Sequence, residues 1–164
     1  MKLCLQLQIY NEALFLPYLD AVLQYVDEAV ISDASPFGPS DDGSSDILEN
    51  YARKYRHVRV RHTTSVREGW QYDEVQIGNE NLAISDADFF LFSHGDIIYD
   101  IASLESMRRA IEAFPSKLAF YTHFLEFCWD THHIFLFDDS KIEPQLWRPL
   151  VGRSSILSAK AKPF

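Results

Sequence analysis

Polar and aromatic residues that could bind a nucleotide or a cation follow three apolar segments of the sequence. In chain order they are Tyr10-Asn11-Glu12 after residues 3–9, Asp33 after residues 28–32, and Ser93-His94-Gly95-Asp96 after residues 89–92. Aromatic rings stack on bases, while carboxylates accept hydrogen bonds from base N–H groups and hold hard divalent cations. Asp and Asn also cap helices and form turns, so each residue taken alone has a structural interpretation. Together they indicate a nucleotide and cation site, provided that the fold brings them to one place.

The segments that precede these residues have the patterns of strands. Residues 3–9 and 57–62 alternate between apolar and polar side chains with a period of two. Residues 28–33 form a short apolar segment that ends in Asp33. Residues 89–92 are apolar on both faces, which is typical of a central strand in a covered sheet.

Helical spacing of apolar residues separates these strands. It is found in four segments, 11–26, 46–55, 71–84 and about 104–114. Asp46 is predicted to be the N-cap of the second helix, because Glu49 lies three residues later, as in a capping box. In the third helix, Val75, Asn79 and Leu82 are predicted to lie near one face.

Strands that alternate with helices predict a largely parallel sheet whose ligand site lies beyond the carboxyl ends of the strands. Past the fourth helix, residues 118–129 and 133–137 predict two further strands around a turn near Asp130-Thr131. The residues expected to meet at one rim of the sheet are Tyr10, Glu12, Asp33 and Asp96.

Composition limits the kinds of partner. The 164 residues, 47% of them hydrophobic, suit one domain that spans residues 1–164. A formal net charge of −9 repels phosphate backbones, so nucleic acid is not an expected partner. An acidic protein that binds a diphosphate needs a local countercharge, most simply a divalent cation held by its own carboxylates.

The sequence pattern also bears on localisation. No apolar run approaches the roughly 18 residues of a membrane span, and residues 1–9, interrupted by Gln6 and Gln8, do not resemble a signal peptide. Cys4 and Cys128 lie in apolar surroundings without CxxC spacing, which is typical of buried, reduced thiols. We therefore expect a cytoplasmic chain with no membrane span.

The same motifs resemble those of family 2 glycosyltransferases. The resemblance rests on Tyr10-Asn11-Glu12, Asp33, Gly43-Ser44-Ser45-Asp46 and the acid after the central strand, and it covers about the first 100 residues. It implies an α/β fold of the GT-A (Rossmann-like) type, a three-layer sandwich with a mostly parallel central sheet and a shortened C-terminal part. Residues 1–100 would be the donor-binding half, and residues 101–164 would be the acceptor half or an incomplete part of it.

The resemblance assigns roles to individual residues. It implies that Tyr10 and Glu12 line a base pocket, that Asp33 binds the base, and that Asp96 holds a divalent cation, Mn²⁺ or Mg²⁺. Asn81 lies where many relatives have Arg-Asn, which implies a nucleotide contact. The segment 36–40 adds residues to the loop after Asp33 and would reshape the base pocket.

His94 replaces the first acid of the family's Asp-x-Asp motif. Three roles stay open for it: metal ligand, ribose contact or spectator. Imidazole is a softer ligand than carboxylate, so a ligand role would favour Mn²⁺ or a later transition metal over Mg²⁺.

A general base is harder to assign. Asp138 and Asp139 follow the last predicted strand and are the nearest candidates for taking the proton of an acceptor hydroxyl. Two adjacent acids are also typical of a solvated turn, and Glu126 and Asp130 are the next candidates.

The function expected from the residues and the resemblance is metal-assisted transfer of a sugar from a nucleotide-diphospho-sugar to an acceptor that is a glycan, a lipid or a protein. The alternative is a non-catalytic nucleotide-sugar-binding module, or a fragment of a longer transferase. The sequence has no GxxxxGK[ST] loop, no GxGxxG after the first strand and no GxSxG elbow, which argues against other phosphate enzymes and serine hydrolases.

Overall fold

The structure, a computed structural model, describes residues 1–34, 37–63 and 74–116 and four short strands beyond them. The strands are β1 (Leu3–Ile9), β2 (Glu28–Ala34), β3 (Val58–Thr63), β4 (Phe89–His94), β5 (Ala119–Tyr121), β6 (Glu126–Phe127), β7 (Ile134–Phe135) and β8 (Leu150–Arg153). The helices are α1 (Leu19–Leu23), α2 (Ser44–Lys54), α3 (Glu74–Ala83) and α4 (Ile101–Ala113), and a 3₁₀ turn (Leu16–Tyr18) precedes α1.

Six of the described strands form one sheet in the order β3-β2-β1-β4-β8-β5. The four strands β3, β2, β1 and β4 are parallel, which confirms the largely parallel sheet predicted from the sequence. β8 pairs antiparallel with both β4 and β5. The chain order reverses between β1 and β4, and a ligand crevice of an open α/β sheet forms at such a switch point.

The two faces of the sheet are covered by different helices. Apolar residues of β1 that point to one face, such as Leu5 and Leu7, share a core with Leu48 of α2 and Leu104 of α4. On the other face, α3 lies over the alternate side chains of β1, and Gly78 lets it approach Gln6 and Gln8. Helices on both sides of the sheet give the three layers expected.

The first helix is shorter than predicted. Apolar spacing predicted a helix over residues 11–26, but the α-helix begins at Leu19, after a 3₁₀ turn that contains Pro17. Asn11 has a left-handed φ of 54°, and an isolated left-handed residue does not continue a helix. Residues 11–13 instead form a loop that serves the candidate site.

Helix α2 begins earlier than predicted. Gly43, with a φ of 96°, is its N-cap residue, and Asp46 lies in the first turn. The capping role predicted for Asp46 is therefore wrong, although an acid in the first turn still interacts favourably with the helix dipole.

The third helix also differs in its buried face. Ile77, Gly78 and Asn81 are buried, while Val75, which was predicted to lie near the same face as Asn79 and Leu82, is half exposed. The polar Asn81 takes a position where an apolar side chain would be expected, because it bonds with polar groups of the sheet beneath it.

The described residues after α4 form strands, as predicted, but the strands pair differently from the prediction. β6 and β7 form the antiparallel pair expected around residues 130–131. β5, which was predicted as part of the same long strand as β6, pairs with β8 in the main sheet. The antiparallel strand β8 was not predicted.

Candidate functional site

The carboxyl ends of β1, β2 and β4 lie level with one another. Ile9 of β1 is in register with Asp33 of β2, and Gln8 is in register with His94 of β4. The loops that leave β1 and β4 therefore start side by side at the switch point of the sheet, and the loop from β2 starts beside them. Tyr10-Asn11-Glu12, Asp33 and His94-Gly95-Asp96 accordingly share one edge, as predicted.

Glu12 and Gly95 join the loops after β1 and β4. A β-carbon built on Gly95 would lie 2.7 Å from Cδ of Glu12 and 2.8 Å from Cγ2 of Ile9, so any other residue at this position requires Glu12 and Ile9 to move. The loop after β4 is bonded to the end of this strand, because the hydroxyl of the half-buried Tyr99 donates to Ser93 Oγ over 2.9 Å. Gly95 therefore lets the loop after β4 approach Glu12 closely.

The Glu12 carboxylate is in an unusual environment. Its Oε2 is buried and has no hydrogen-bond partner in the described part of the chain. Burial raises the pKa of Glu12 to about 7, with further contributions from the negative charges of Asp96 and Asp42. Asp96 itself is exposed. A cation bound by Glu12 and Asp96 together would compensate these negative charges and favour the ionised form of Glu12.

Asp33 is buried, and the protein itself uses its carboxylate. Its Oδ1 accepts a hydrogen bond of 2.7 Å from Ser40 Oγ, and its Oδ2 accepts one from Ser45 Oγ. The His62 ring nitrogen Nδ1 lies 3.4 Å from Oδ2. Asp33 thus organises the loop between β2 and α2, a role that the sequence did not indicate.

Two loops are bonded to each other at this edge. Ser40 Oγ, which donates to Asp33, accepts from the backbone N–H of Asn11 over 3.0 Å. Asn11 and Asp41 exchange a side-chain and a backbone hydrogen bond of 2.9 and 3.0 Å. The left-handed conformation of Asn11 turns the chain so that both bonds form.

The backbone of the next two residues, Glu12 and Ala13, is bonded to the same loop before α2. The backbone N–H of Glu12 donates to Ser44 Oγ over 2.9 Å, and that of Ala13 donates to Asp42 Oδ2 over 2.9 Å. Sequence reasoning missed Ser40, Asp41 and Asp42 as residues that position the site. The Asp-Asp-Gly-Ser sequence at 41–44 carried the signal, since its short polar side chains bond readily to nearby backbone.

Two aromatic rings lie at the outer side of this edge. Tyr10 is 36% exposed and Phe37 is 71% exposed. Their ring centroids are 6.4 Å apart, and the ring planes are inclined by 42°. Phe37 belongs to the segment 36–40 that the sequence analysis noted as an addition to the loop.

Asn81 and His94 lie on the other face of the sheet. The register places His94 on the same face as Gln8, beneath α3, whereas Asp33 shares the opposite face with Ile9. Asn81 is fully buried, and its Oδ1 accepts from Ser32 Oγ over 2.8 Å and from Arg61 Nη1 over 2.6 Å. The predicted site residues therefore form two groups, with Asn81 and His94 separated by the sheet from Asp33.

The residues present fit a cation that is shared with a diphosphate. Among the residues that the structure describes, no group of three or more His, Cys, Asp or Glu side chains could hold a metal ion by itself. Glu12 and Asp96 nonetheless form a pair of neighbouring acids whose mutual repulsion a cation would relieve. Mg²⁺ and similar ions are commonly bound by one or two carboxylates together with phosphate oxygens. Asp138 and Asp139, the predicted general bases, lie outside the described residues.

Comparison with solved structures decides the fold. The structure matches residues 1–349 of TarS from S. aureus with a TM-score of 0.64 and 16% identity over 98% of this chain. The chain has a GT-A fold. A TarS structure with UDP-GlcNAc matches with a TM-score of 0.52 and 22% identity over 70% of the chain.

Two further structures with the GT-A type of fold differ in chemistry. Mannosyltransferase PcManGT from Pyrobaculum calidifontis, in complex with GDP-Man and Mn²⁺, matches with a TM-score of 0.53 and 18% identity over 72% of this chain and 34% of its own. The CMP:2-keto-3-deoxy-manno-octonic acid synthetase in complex with CTP matches with a TM-score of 0.57 and 11% identity over 100% of this chain and 79% of its own. These likenesses confirm the predicted fold and leave the reaction to be argued from the site.

The comparisons also set limits. No protein-family model matches the sequence, and neither does any curated protein. The chain spans about half of TarS 1–349, of which it covers 49%. Within the described part of the chain, none of the helices combines the length and the apolar character that crossing a membrane requires.

Proposed function

We propose that the chain binds a nucleotide-diphospho-sugar at the carboxyl edge of β1, β2 and β4 and transfers the sugar with the help of a divalent cation. The observation that carries the proposal is the pairing of a buried, unpartnered Glu12 carboxylate oxygen with the exposed Asp96 at the switch point of a GT-A fold. Neighbouring structures with this fold contain UDP-GlcNAc, and GDP-Man with Mn²⁺.

Each residue of the edge has a proposed task. Asp96 and Glu12 would hold the cation, which when bound would supply positive charge for the departing diphosphate. Tyr10 stacks on the base, and Asp33 holds Ser40 and the loop around the base. Glu12, predicted from the resemblance to line the base pocket, is assigned here to the cation because Asp96 is among the charges that raise its pKa. Asn81 belongs to α3 and His94 lies on the face of the sheet that α3 covers, and we assign them no direct contact with the base.

The proposed reaction is a displacement at the anomeric carbon. The bond between this carbon and the diphosphate oxygen breaks, and the acceptor hydroxyl oxygen forms the new bond. The hydroxyl proton passes to a base, for which Asp138 and Asp139 remain the candidates.

Ligand-dependent thermal unfolding tests the proposal. Wild-type protein should be stabilised by at least one of UDP, GDP, CDP and dTDP or their sugar derivatives in the presence of Mn²⁺. At 100 times Kd the stabilisation is about 3 kcal/mol, which shifts Tm by roughly 5–10 °C for a chain of this size. Asp96→Asn should abolish the shift.

The matched control is Asp86→Asn, because Asp86 precedes β4 at the opposite edge of the sheet and its side chain is 84% exposed. It should leave the shift unchanged. No stabilisation of the wild-type protein by any of these nucleotides would refute the proposal.

A second candidate function is nucleotide-sugar binding without transfer, as a module or as part of a longer transferase. The replacement of the first acid of the Asp-x-Asp motif by His94 favours it. It predicts the same thermal shift with no release of nucleoside diphosphate from a nucleotide sugar. Release of nucleoside diphosphate that Asp96→Asn abolishes would exclude it.

A further inference from the structure

Phe37 is a large apolar side chain that the fold leaves largely in water. It is 71% exposed, beside Gly38, at whose β-carbon position no atom lies within 4 Å. The described core of the protein therefore gives no reason for an aromatic ring at this position. The ring does meet one described aromatic neighbour, the half-exposed Tyr10, at a centroid distance of 6.4 Å.

The two rings come from different loops that are fixed to each other. Ser40, three residues after Phe37, is bonded both to Asp33 and to the backbone of Asn11, the residue after Tyr10. The buried Asp33 carboxylate thus determines the positions of both loops. Because the loops are already fixed to each other, a planar ligand binds between the rings without the cost of ordering the loops.

The separation of the rings is close to that needed for an aromatic ligand between them. A flat ring between two parallel rings needs two contact distances of about 3.5 Å, or about 7 Å between the outer rings. The observed 6.4 Å with an inclination of 42° is a direct tilted contact between the two rings, so a base enters by displacing this contact, with an outward movement of Phe37 of about 1 Å and a rotation that makes the rings parallel.

The position relative to the acids indicates what the ligand is. Tyr10 is two residues from Glu12, and two residues span at most about 7 Å. A ligand that lies between the rings and also reaches the Glu12–Asp96 pair has a flat ring at one end and an anionic group, with its cation, at the other. A nucleoside diphosphate has this construction.

We propose that Phe37 is a base-binding residue of the donor site and that it holds the nucleobase against Tyr10, between two aromatic rings. The inference rests on the proposed function, since it names the second wall of the same base pocket. Stacking accepts any base, so Phe37 contributes to the binding of both purines and pyrimidines. The contribution is larger for purines, because stacking strengthens with the area of the base.

Calorimetric titration of UDP and of GDP, each with Mn²⁺, tests the proposal on wild-type protein, Phe37→Ala and Phe37→Tyr. Phe37→Ala should weaken binding of the nucleotides by about 5-fold to 100-fold, more for GDP than for UDP, and Phe37→Tyr should restore it. Pyrophosphate with Mn²⁺, which has no base, should bind wild-type protein and Phe37→Ala equally.

The control variant is Phe114→Ala. Phe114 is also exposed, at 57%, but it follows the C-terminal end of α4, away from the loops that carry Tyr10 and Phe37. It should leave the Kd of both nucleotides unchanged. Equal unfolding transitions of the Phe37 variants and the wild-type protein establish that the fold is intact.

The outcomes separate the two proposals. If wild-type protein binds nucleoside diphosphates and Phe37→Ala binds them with the same Kd, the base does not contact Phe37 and this inference is wrong, while the proposed function stands. If Phe37→Ala weakens pyrophosphate as much as UDP, the residue acts on the loop and not on the base, which also overturns it. If wild-type protein binds neither UDP nor GDP, this inference fails, and the full nucleotide panel decides the proposed function.

Discussion

Gly95 lies against the Glu12 carboxylate so closely that a β-carbon on it would be 2.7 Å from Glu12 Cδ. Two loops from different strands thus pack on each other through a glycine and a carboxylate, and the carboxylate is left without a hydrogen-bond partner at Oε2 in the described part of the chain. An unpaired buried carboxylate oxygen does not stabilise the fold. Because buried carboxylates with perturbed pKa values concentrate at functional sites, we expect Glu12 to bind a ligand.

Gly95→Ala should destabilise the protein and displace Glu12. The new methyl group meets both Glu12 and Ile9, and overpacking of this kind costs about 1–3 kcal/mol. Chemical denaturation measures the loss.

Gly78→Ala is the matched control for Gly95→Ala. Its β-carbon would be 3.4 Å from Gln6 Nε2, at the end of a flexible side chain, and Ala is favoured over Gly in a helix by about 1 kcal/mol. This variant should be neutral or more stable. Equal destabilisation by the two substitutions would contradict the close packing of Gly95.

Glu12→Gln should change stability in a pH-dependent way. The pKa of Glu12 is raised to about 7 in the folded protein from an ordinary value of 4.5, chiefly by burial. Between these values the unfolded chain loses a proton that the folded chain keeps, so the contribution of Glu12 to stability falls as pH rises and is lowest above pH 7.

The substitution removes this loss. Relative to wild type, Glu12→Gln should therefore be close to neutral at pH 4.5 and more stable at pH 8 by about 2 kcal/mol, allowing for solvent screening of a partly exposed group. Urea denaturation at the two pH values measures the difference, and Glu105→Gln on the exposed surface of α4 is the control. The same effect of Glu12→Gln at both pH values would show that the carboxyl titrates normally.

Asp33 and Ser40 should be energetically coupled. Asp33→Asn weakens charge-assisted hydrogen bonds to Ser40 and Ser45 and should cost about 2 kcal/mol. In a double-mutant cycle with Ser40→Ala, we expect a coupling free energy of about 1 kcal/mol or more, measured by denaturation. Ser106→Ala, on the exposed side of α4, should show no coupling with Asp33→Asn. Additive effects of Asp33→Asn and Ser40→Ala would mean that Asp33 does not hold the loop.

The sequence predicted which residues lie at the carboxyl edge of the sheet more accurately than the contacts that these residues make. Alternation over residues 3–9 and the apolar run at 89–92 identified β1 and β4 as strands of a largely parallel sheet, because strand periodicity and double-sided burial are local properties of the sequence, whereas their pairing as neighbours was not predicted. The shared position of Glu12 and Asp96 follows from the direction of parallel strands alone.

The bonds of Asp33 could not be predicted in this way. Whether a buried acid faces a ligand or a serine depends on how the loop between β2 and α2 folds back, and this loop is held by long-range hydrogen bonds to Asn11 and Ala13. The opposite faces of Asp33 and His94 were likewise hidden, since they depend on the strand register and not on the order of the motifs.

Substitution of Gln6 tests whether its buried amide, between β1 and α3, has a polar partner. Both amide atoms of Gln6 are buried without a hydrogen-bond partner in the described part of the chain, next to Gly78 of α3. An unpaired buried polar group costs about 1–3 kcal/mol, so Gln6→Leu, which removes both groups and nearly keeps the volume, should stabilise the protein by about that amount. Gln24→Leu, at the exposed end of α1, is the control and should have little effect. Destabilisation by Gln6→Leu would instead mean that a buried water or another polar partner pairs the amide, because such a partner would be left unpaired by leucine.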